Sequence, residues 1–454
     1  MIAPIRTELR RSNARVTALL VLAATSLLIA NSYPYWRVSS GLAGQELMVT
    51  LTLGVPLVLA CGAILGRREA RTRAVDLMAS TGRPRWQRFL PSTVALGGAV
   101  AATFLLVVVA ALVAVVAGDG YLGLHDVAMP LIGALILAGA TWIGIGAGRL
   151  WSSPILPPLL AAGTLVLLFA SPPLPLDGRF TRWSNMTIAI TPGAATPWET
   201  PTAAALLARL ALAAGLATAG LLLIAGRSWF ARAGAVAALA AGLAGMALIV
   251  PPGAAAKWRI DPAAQRLVCA DGPPQVCVTE AHEYLLSDVA SEARRALDAL
   301  AVLPGAPTRV AEVRLDTAGD NTDAQWQRFT PNDEPGTVYV ALSPDTGIGR
   351  DPGVAQRIVM GGGTYLSHCG PRGDVDVPMS VTGAWLLGTE DFRVWSPSSG
   401  YWGSDESQPE IRERLRALRA LPEAEQLARV IAVRDAAQRC EPDLMTPLTA
   451  GTPS

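Results

Sequence analysis

Charge is scarce in this chain: only 16% of its 454 residues are Asp, Glu, Lys or Arg, against about 25% in a typical soluble protein. That shortage excludes a single water-soluble globule and implies that much of the chain sits in lipid. Lysine is scarcer still, with Lys257 the sole example. It does not lie in a G-x-x-x-x-G-K-S/T loop, so the chain has no phosphate-cradling ATP site of its own. Histidine is limited to His125, His282 and His368. None forms H-E-x-x-H, which excludes the zinc hydrolases that need two ligands one helical turn apart plus a base.

The remaining composition is uneven. Up to Val250 there are 18 arginines and 8 acids, and from Pro251 onward 19 basic and 28 acidic residues. A basic, apolar half and an acidic, ordinary half point to two domains in different solvents. The acidic half also argues against nucleic-acid binding, which needs a basic face.

A bilayer core needs about 20 apolar residues per helix. Residues 1–250 offer about seven such runs, near 16–30, 47–65, 89–117, 127–147, 154–170, 202–225 and 233–250. The fifth is short and carries Pro157 and Pro158, which makes its entry irregular. The first has a basic start but lacks a small-x-small cleavage site, so it reads as a retained span rather than a signal peptide.

Short basic loops stay in the cytoplasm. Fourteen arginines lie in alternate connections, from Arg6 through Arg67–Arg88 and Arg149 to Arg232, against Arg37, Arg179 and Arg182 on the other side. The N-terminus is therefore expected inside and, after seven spans, residues 251–454 outside. One charge falls within a span, Arg209; the default reading is that it snorkels to the outer interface, and the alternative is that it marks a substrate path. Gly144, Gly146 and Gly148 favour close helix packing.

Cysteine usage bears on the same topology. Cys61 falls in the second span as a small apolar filler. Cys269, Cys277, Cys369 and Cys440 all lie in the C-terminal half, and an even number there fits disulfides in an oxidising compartment. Four cysteines allow three pairings. The C-x7-C spacing around Asp271-Gly272-Pro273-Pro274 favours a stapled hairpin, Cys269 with Cys277, leaving Cys369 with Cys440.

The segment 66–88, GRREARTRAVDLMASTGRPRWQR, combines arginines with the apolar patch Val75, Leu77, Met78 and Ala79. Gly82 and Pro84 are stop signals, so a short amphipathic helix is expected along the cytoplasmic face. The start MIAPIRTELRRSNAR, the run DLMASTGRPRWQR and the order of spans resemble the permease subunit of a bacterial, typically actinobacterial, ABC-2 type transporter. The resemblance covers about residues 1–230. It implies that this loop carries a coupling helix docking on a separate ATP-binding subunit, with Arg71, Val75, Leu77, Met78 and Arg83 as docking candidates. ATP and Mg would then sit on that partner, and permeases would pair as homodimers or heterodimers.

From Trp258 the pattern becomes that of a soluble α+β domain. It comprises a hairpin over Arg266–Val278, a helix from Glu280 to about Ala301, strands at Arg309–Leu315 and Thr337–Leu342, and helices near Val354–Ser367, Ile411–Leu418 and Pro422–Cys440. The arrangement is faintly similar to a metallopeptidase fold, without its chemistry. His282-Glu283 and His368 could meet on a metal, though structural roles are the default. Asp374, Asp376, Asp405 and Glu406 read as solvated loop carboxylates, and Ser380, Ser396 and Ser398 lack a G-x-S-x-G context. Trp385, Phe392, Trp395, Tyr401 and Trp402 are either a recognition surface or core. With no catalytic constellation and no metal site, the chain is not expected to be an enzyme on its own.

These features lead to an expected permease subunit of an ABC exporter in the bacterial plasma membrane, with an outer domain for recognition or gating. The competing expectations are a membrane-anchored sensor and a degenerate membrane-bound metallopeptidase.

Overall fold

The computed structural model describes residues 14–71, 85–170, 197–226, 228–249, 257–314, 336–340, 342, 353–361, 376–390, 392, 395–396, 401–402 and 408–450. The chain divides into two compact units, one running through Asp261 and one beginning at Pro262.

The first unit is built from α1 (Ala14–Asn31), α2 (Ser40–Arg71), α3 (Arg85–Ala117), α4 (Ala128–Leu150), α5 (Leu156–Ala170), α6 (Ala203–Ala225) and α7 (Trp229–Ile249). Among the described residues, six of these are long and apolar enough to cross a membrane. The seventh, α5, has 15 residues and falls short of the roughly 20 that a full crossing takes. Leu19, Leu27, Leu106, Val113, Phe230 and Val236 are exposed on α1, α3 and α7, the surface a helix presents when lipid rather than water surrounds it.

Helix α4 is the centre of this unit: 72% of its span is buried, against 17% for α7. It owes that position to glycine. In membranes helices gain little from hydrophobic transfer and associate by close packing, which small residues permit. Gly62 and Gly66 of α2 face Gly144 and Gly148 of α4 so closely that a methyl group on any of the four would strike a backbone carbonyl of the opposite helix. On other parts of its surface Gly139 and Gly146 admit Leu216 and Leu223 of α6, and Gly220 of α6 admits Trp142.

Strand β1 (Glu199–Pro201) pairs antiparallel with β2 (Trp258–Ile260), Glu199 opposite Ile260 and Pro201 opposite Trp258. Residues that follow the last long helix thus return to the membrane unit as a ribbon.

The second unit holds a four-stranded sheet in the order β3 (Leu267–Cys269), β4 (Gln275–Thr279), β5 (Arg309–Glu312), β6 (Thr337–Val340). The first pair is an antiparallel hairpin and the other two pairs are parallel. A parallel neighbour requires a crossover, supplied by α8 (Leu286–Leu300). Its buried face, Val289, Ala293, Ala296, Leu297 and Leu300, packs in one core with Val276, Val278, Val310 and Val338. The helix expected from Glu280 begins instead as a 3₁₀ segment, Glu280–Leu285, broken at His282.

The same core continues through α9 (Val354–Val359), α10 (Asp376–Leu387), α11 (Gln408–Arg419) and α12 (Glu423–Gln438), followed by α13 (Met445–Thr449). Helix α10 was not legible in the sequence: it opens at Asp376, in a stretch that reads as polar loop, and it buries Met379, Val381 and Ala384. Pro422 caps α12 from outside the first turn rather than occupying it. Phe392 is fully buried against Gly383, and the Trp385 indole donates to Gln426 Oε1 at 2.6 Å, so these two aromatics belong to the core. Trp395 and Trp402 pair across a two-residue ribbon, β7 (Trp395–Ser396) with β8 (Tyr401–Trp402).

Cys269 and Cys277 stand opposite each other in the β3–β4 hairpin and are disulfide-bonded. Cys440 is also disulfide-bonded, while Cys369 lies outside the described residues, and Cys61 is a free thiol. Peptide mapping of unreduced protein is expected to recover Cys269 and Cys277 on one linked peptide. Free thiols at both positions in protein taken from its native membrane would contradict the hairpin staple.

Candidate functional site

Polar side chains concentrate where α2, α4 and α6 begin. Ser40, the first residue of α2, donates its hydroxyl to Asp126 Oδ2 at 2.8 Å and accepts from the Gly123 amide at 2.8 Å. Its neighbour Ser39 donates to the Pro197 carbonyl at 3.1 Å. The Tyr121 hydroxyl donates to Asp261 Oδ2 at 2.9 Å, and the Asp261 amide donates to the Trp198 carbonyl at 2.8 Å. The β1–β2 ribbon is therefore tied to the connection before α4 and to the start of α2. Asp126, at 6% exposure, is met at Oδ2 by the Ser40 hydroxyl, while its Oδ1 has no partner among the described residues.

The ribbon leads directly into α6. Thr202 caps that helix, accepting the Ala205 amide on its hydroxyl at 3.2 Å, and its own amide donates to the Lys257 carbonyl at 2.9 Å. About two turns on is Arg209, only 6% exposed. Its Nη1 donates at 3.0 Å to the carbonyl of Ala205 in its own helix, which turns the guanidinium toward the amino end of α6. The head does point toward that end, as a snorkelling side chain would, but it stays enclosed. Among the described residues no carboxylate pairs with Arg209, and its Nε has no partner. Lys257 lies near enough that burial and the Arg209 charge together hold its ammonium below the usual lysine value.

Among the described residues the second unit has one buried ionisable pair. Glu312, at the end of β5 and fully buried, accepts the Thr279 amide at 2.6 Å and the Thr279 hydroxyl at 2.8 Å, and bonds His282 Nδ1 through its other oxygen at 2.5 Å. His282 is fully enclosed while Glu283 beside it is exposed, so the two point apart. Among the described residues no three His, Cys, Asp or Glu side chains come together as a metal site. His368, Asp374, Asp405, Glu406 and Ser398 lie outside the described residues, and Ser380 is buried in α10.

No family model, no curated protein and no solved structure matches this chain. Function must therefore be argued from its own geometry. Of the docking candidates, Arg71 is the last residue of α2, and Val75, Leu77, Met78 and Arg83 lie outside the described residues.

Sequence reasoning overlooked Lys257, Glu312 and Asp126. A usable signal existed for the first: the single lysine of an arginine-rich chain lies beside the ribbon residue Trp258. Glu312 carries no local signal, because its partners Thr279 and His282 are about 30 residues away in sequence.

Proposed function

We propose that this chain is the permease subunit of an ATP-driven ABC transporter, an exporter energised by a separate ATP-binding subunit. The supporting observation is the length of two helices. Helix α2 has 32 residues and α3 has 33, which at 1.5 Å per residue is about 48 Å each, against a hydrocarbon core of about 30 Å. Helix α2 carries Arg67, Arg68 and Arg71 at its end, α3 starts at Arg85, and only residues 72–84 join them. Helices that overshoot the bilayer on the basic side would hold the joining segment at the reach of a cytoplasmic partner. The basic residues at the carboxyl end of α2 also complement its dipole.

In this reading two permeases bracket a path, the segment 154–170 that contains α5 is the fifth of seven crossings, and the second unit lies outside the plasma membrane. Cys369 then bonds Cys440, the only cysteine left for it once Cys61 is free and Cys269 holds Cys277. A periplasmic-type reporter fused after Ser454 is expected to be active; activity from a cytoplasmic reporter alone would remove the outside placement.

The deciding experiment is a pull-down from the native host. Wild-type chain is expected to recover an ATP-binding cassette protein, and Val75→Asp or Met78→Asp to lose it while inserting normally. A buried Leu- or Met-sized contact is worth about 1.5–3 kcal/mol, so each change should weaken association at least about tenfold. Recovery of no ATP-binding protein by the wild type would favour a membrane-anchored sensor instead.

A further inference from the structure

We propose that Arg209 and Lys257 form a binding site for a phosphate-type oxyanion at the amino end of α6. Arginine stays charged in proteins, and a charge enclosed without a counter-ion is among the most expensive features a membrane helix can carry. Arg209 is in that state: enclosed in an apolar helix, bonded only to a carbonyl of its own backbone, with Nε unpartnered and no carboxylate paired with it among the described residues. A second cation belongs to the same end of the helix: the carbonyl of Lys257 accepts the amide of Thr202, the residue that caps α6, at 2.9 Å. The carboxylates of the adjoining ribbon and connection do not relieve this: among the described residues neither Asp126, Asp261 nor the buried Glu199 of β1 bonds the guanidinium, and Asp126 and Asp261 accept from Ser40 and Tyr121 instead.

Three sources of positive potential belong to this end of α6. The guanidinium offers a planar fork matched to oxyanions, the ammonium a mobile point charge, and the start of α6 the positive end of a helix dipole. Thr202 caps the Ala205 amide and leaves the earlier amides of that turn to other acceptors. A group with several acceptor oxygens and more than one negative charge answers a guanidinium and an ammonium together better than a single carboxylate does. The phosphate can belong to a lipid headgroup or to a free anion. The site stands independently of the transporter reading.

Full-length protein, stripped of lipid in dodecyl maltoside and phosphate-free buffer, provides the test. Thermal unfolding is followed by tryptophan fluorescence while phosphatidylglycerol in mixed micelles, inorganic phosphate, or diacylglycerol lacking phosphate is titrated. The wild type is expected to gain several degrees with phosphatidylglycerol and nothing with diacylglycerol. An equal gain with inorganic phosphate would assign the site to a free anion, and a gain with the lipid alone to a headgroup. Arg209→Met should abolish the gain and raise the midpoint of the ligand-free protein, because the uncompensated charge has gone. A merely structural arginine would lower it. Lys257→Gln should weaken the response about tenfold, and it keeps the test open if Arg209→Met does not fold. No response of the wild type to either phosphate source, or an unchanged response in both variants, overturns the proposal.

Discussion

Gly144→Leu is expected to prevent assembly of the membrane unit, giving aggregated protein in fluorescence-detected size exclusion where the wild type runs as one peak. The reason is geometric. A Cβ at Gly144 would fall on the Leu59 carbonyl of α2, and one at Gly148 on that of Ala63. Backbone cannot rotate aside as a side chain can, so α2 and α4 would have to separate along their length. Even one added methylene in a packed core costs about 1–3 kcal/mol, and a leucine adds several against rigid neighbours. Gly144→Ala should fold but unfold several degrees lower. Gly163 supplies the control, since a Cβ there meets nothing within 4 Å and Gly163→Leu should behave as wild type. If Gly144→Leu and Gly163→Leu are indistinguishable, α2 and α4 do not approach as described.

Glu312→Leu should unfold the second unit at the lowest temperature of any single change there. The glutamate is fully buried, and its loss leaves the Thr279 amide, the Thr279 hydroxyl and His282 Nδ1 without the oxygens that accept or bond them. Each buried donor left without its acceptor costs about 1–3 kcal/mol, and several stranded at once take a large share of a typical total stability of about 5–15 kcal/mol. Replacing both partners, Glu312→Leu with His282→Leu, should recover much of that loss, since the penalty comes from the stranded partner. Limited proteolysis of the full chain with mapped cleavage sites reads the second unit separately from the first. A Glu312→Leu protein as protease-resistant as wild type would show that the pair is not enclosed.

The two chemistries differ in what they leave exposed to a sequence reader. Hydropathy is additive along the chain, so the long apolar helices, and the hairpin and crossover helix of the second unit, were legible from composition and period. Thus Val289, Ala293, Leu297 and Leu300 occupy the spacing that puts them on the buried face of α8. Helix α10 was not legible, because Asp376 and Pro378 read as loop until Phe392 and the other core residues pack on its apolar turns. The Cys269–Cys277 staple was legible because its loop is short and the hairpin brings its ends together.

By itself, then, the sequence determined solvent and local form: which segments are apolar enough for lipid, where helices stop, and that no phosphate loop or H-E-x-x-H is present. Only the tertiary structure decided which polar groups meet. That α4 is central rests on glycines of α2 and α4 facing each other. That Glu312 holds His282 rests on the adjacency of β4 and β5. That Arg209 is enclosed beside Lys257 rests on a ribbon joining residues 199–201 to 258–260. Each depends on contacts between distant residues, and such contacts are set by packing geometry, which no local pattern of hydropathy or spacing encodes.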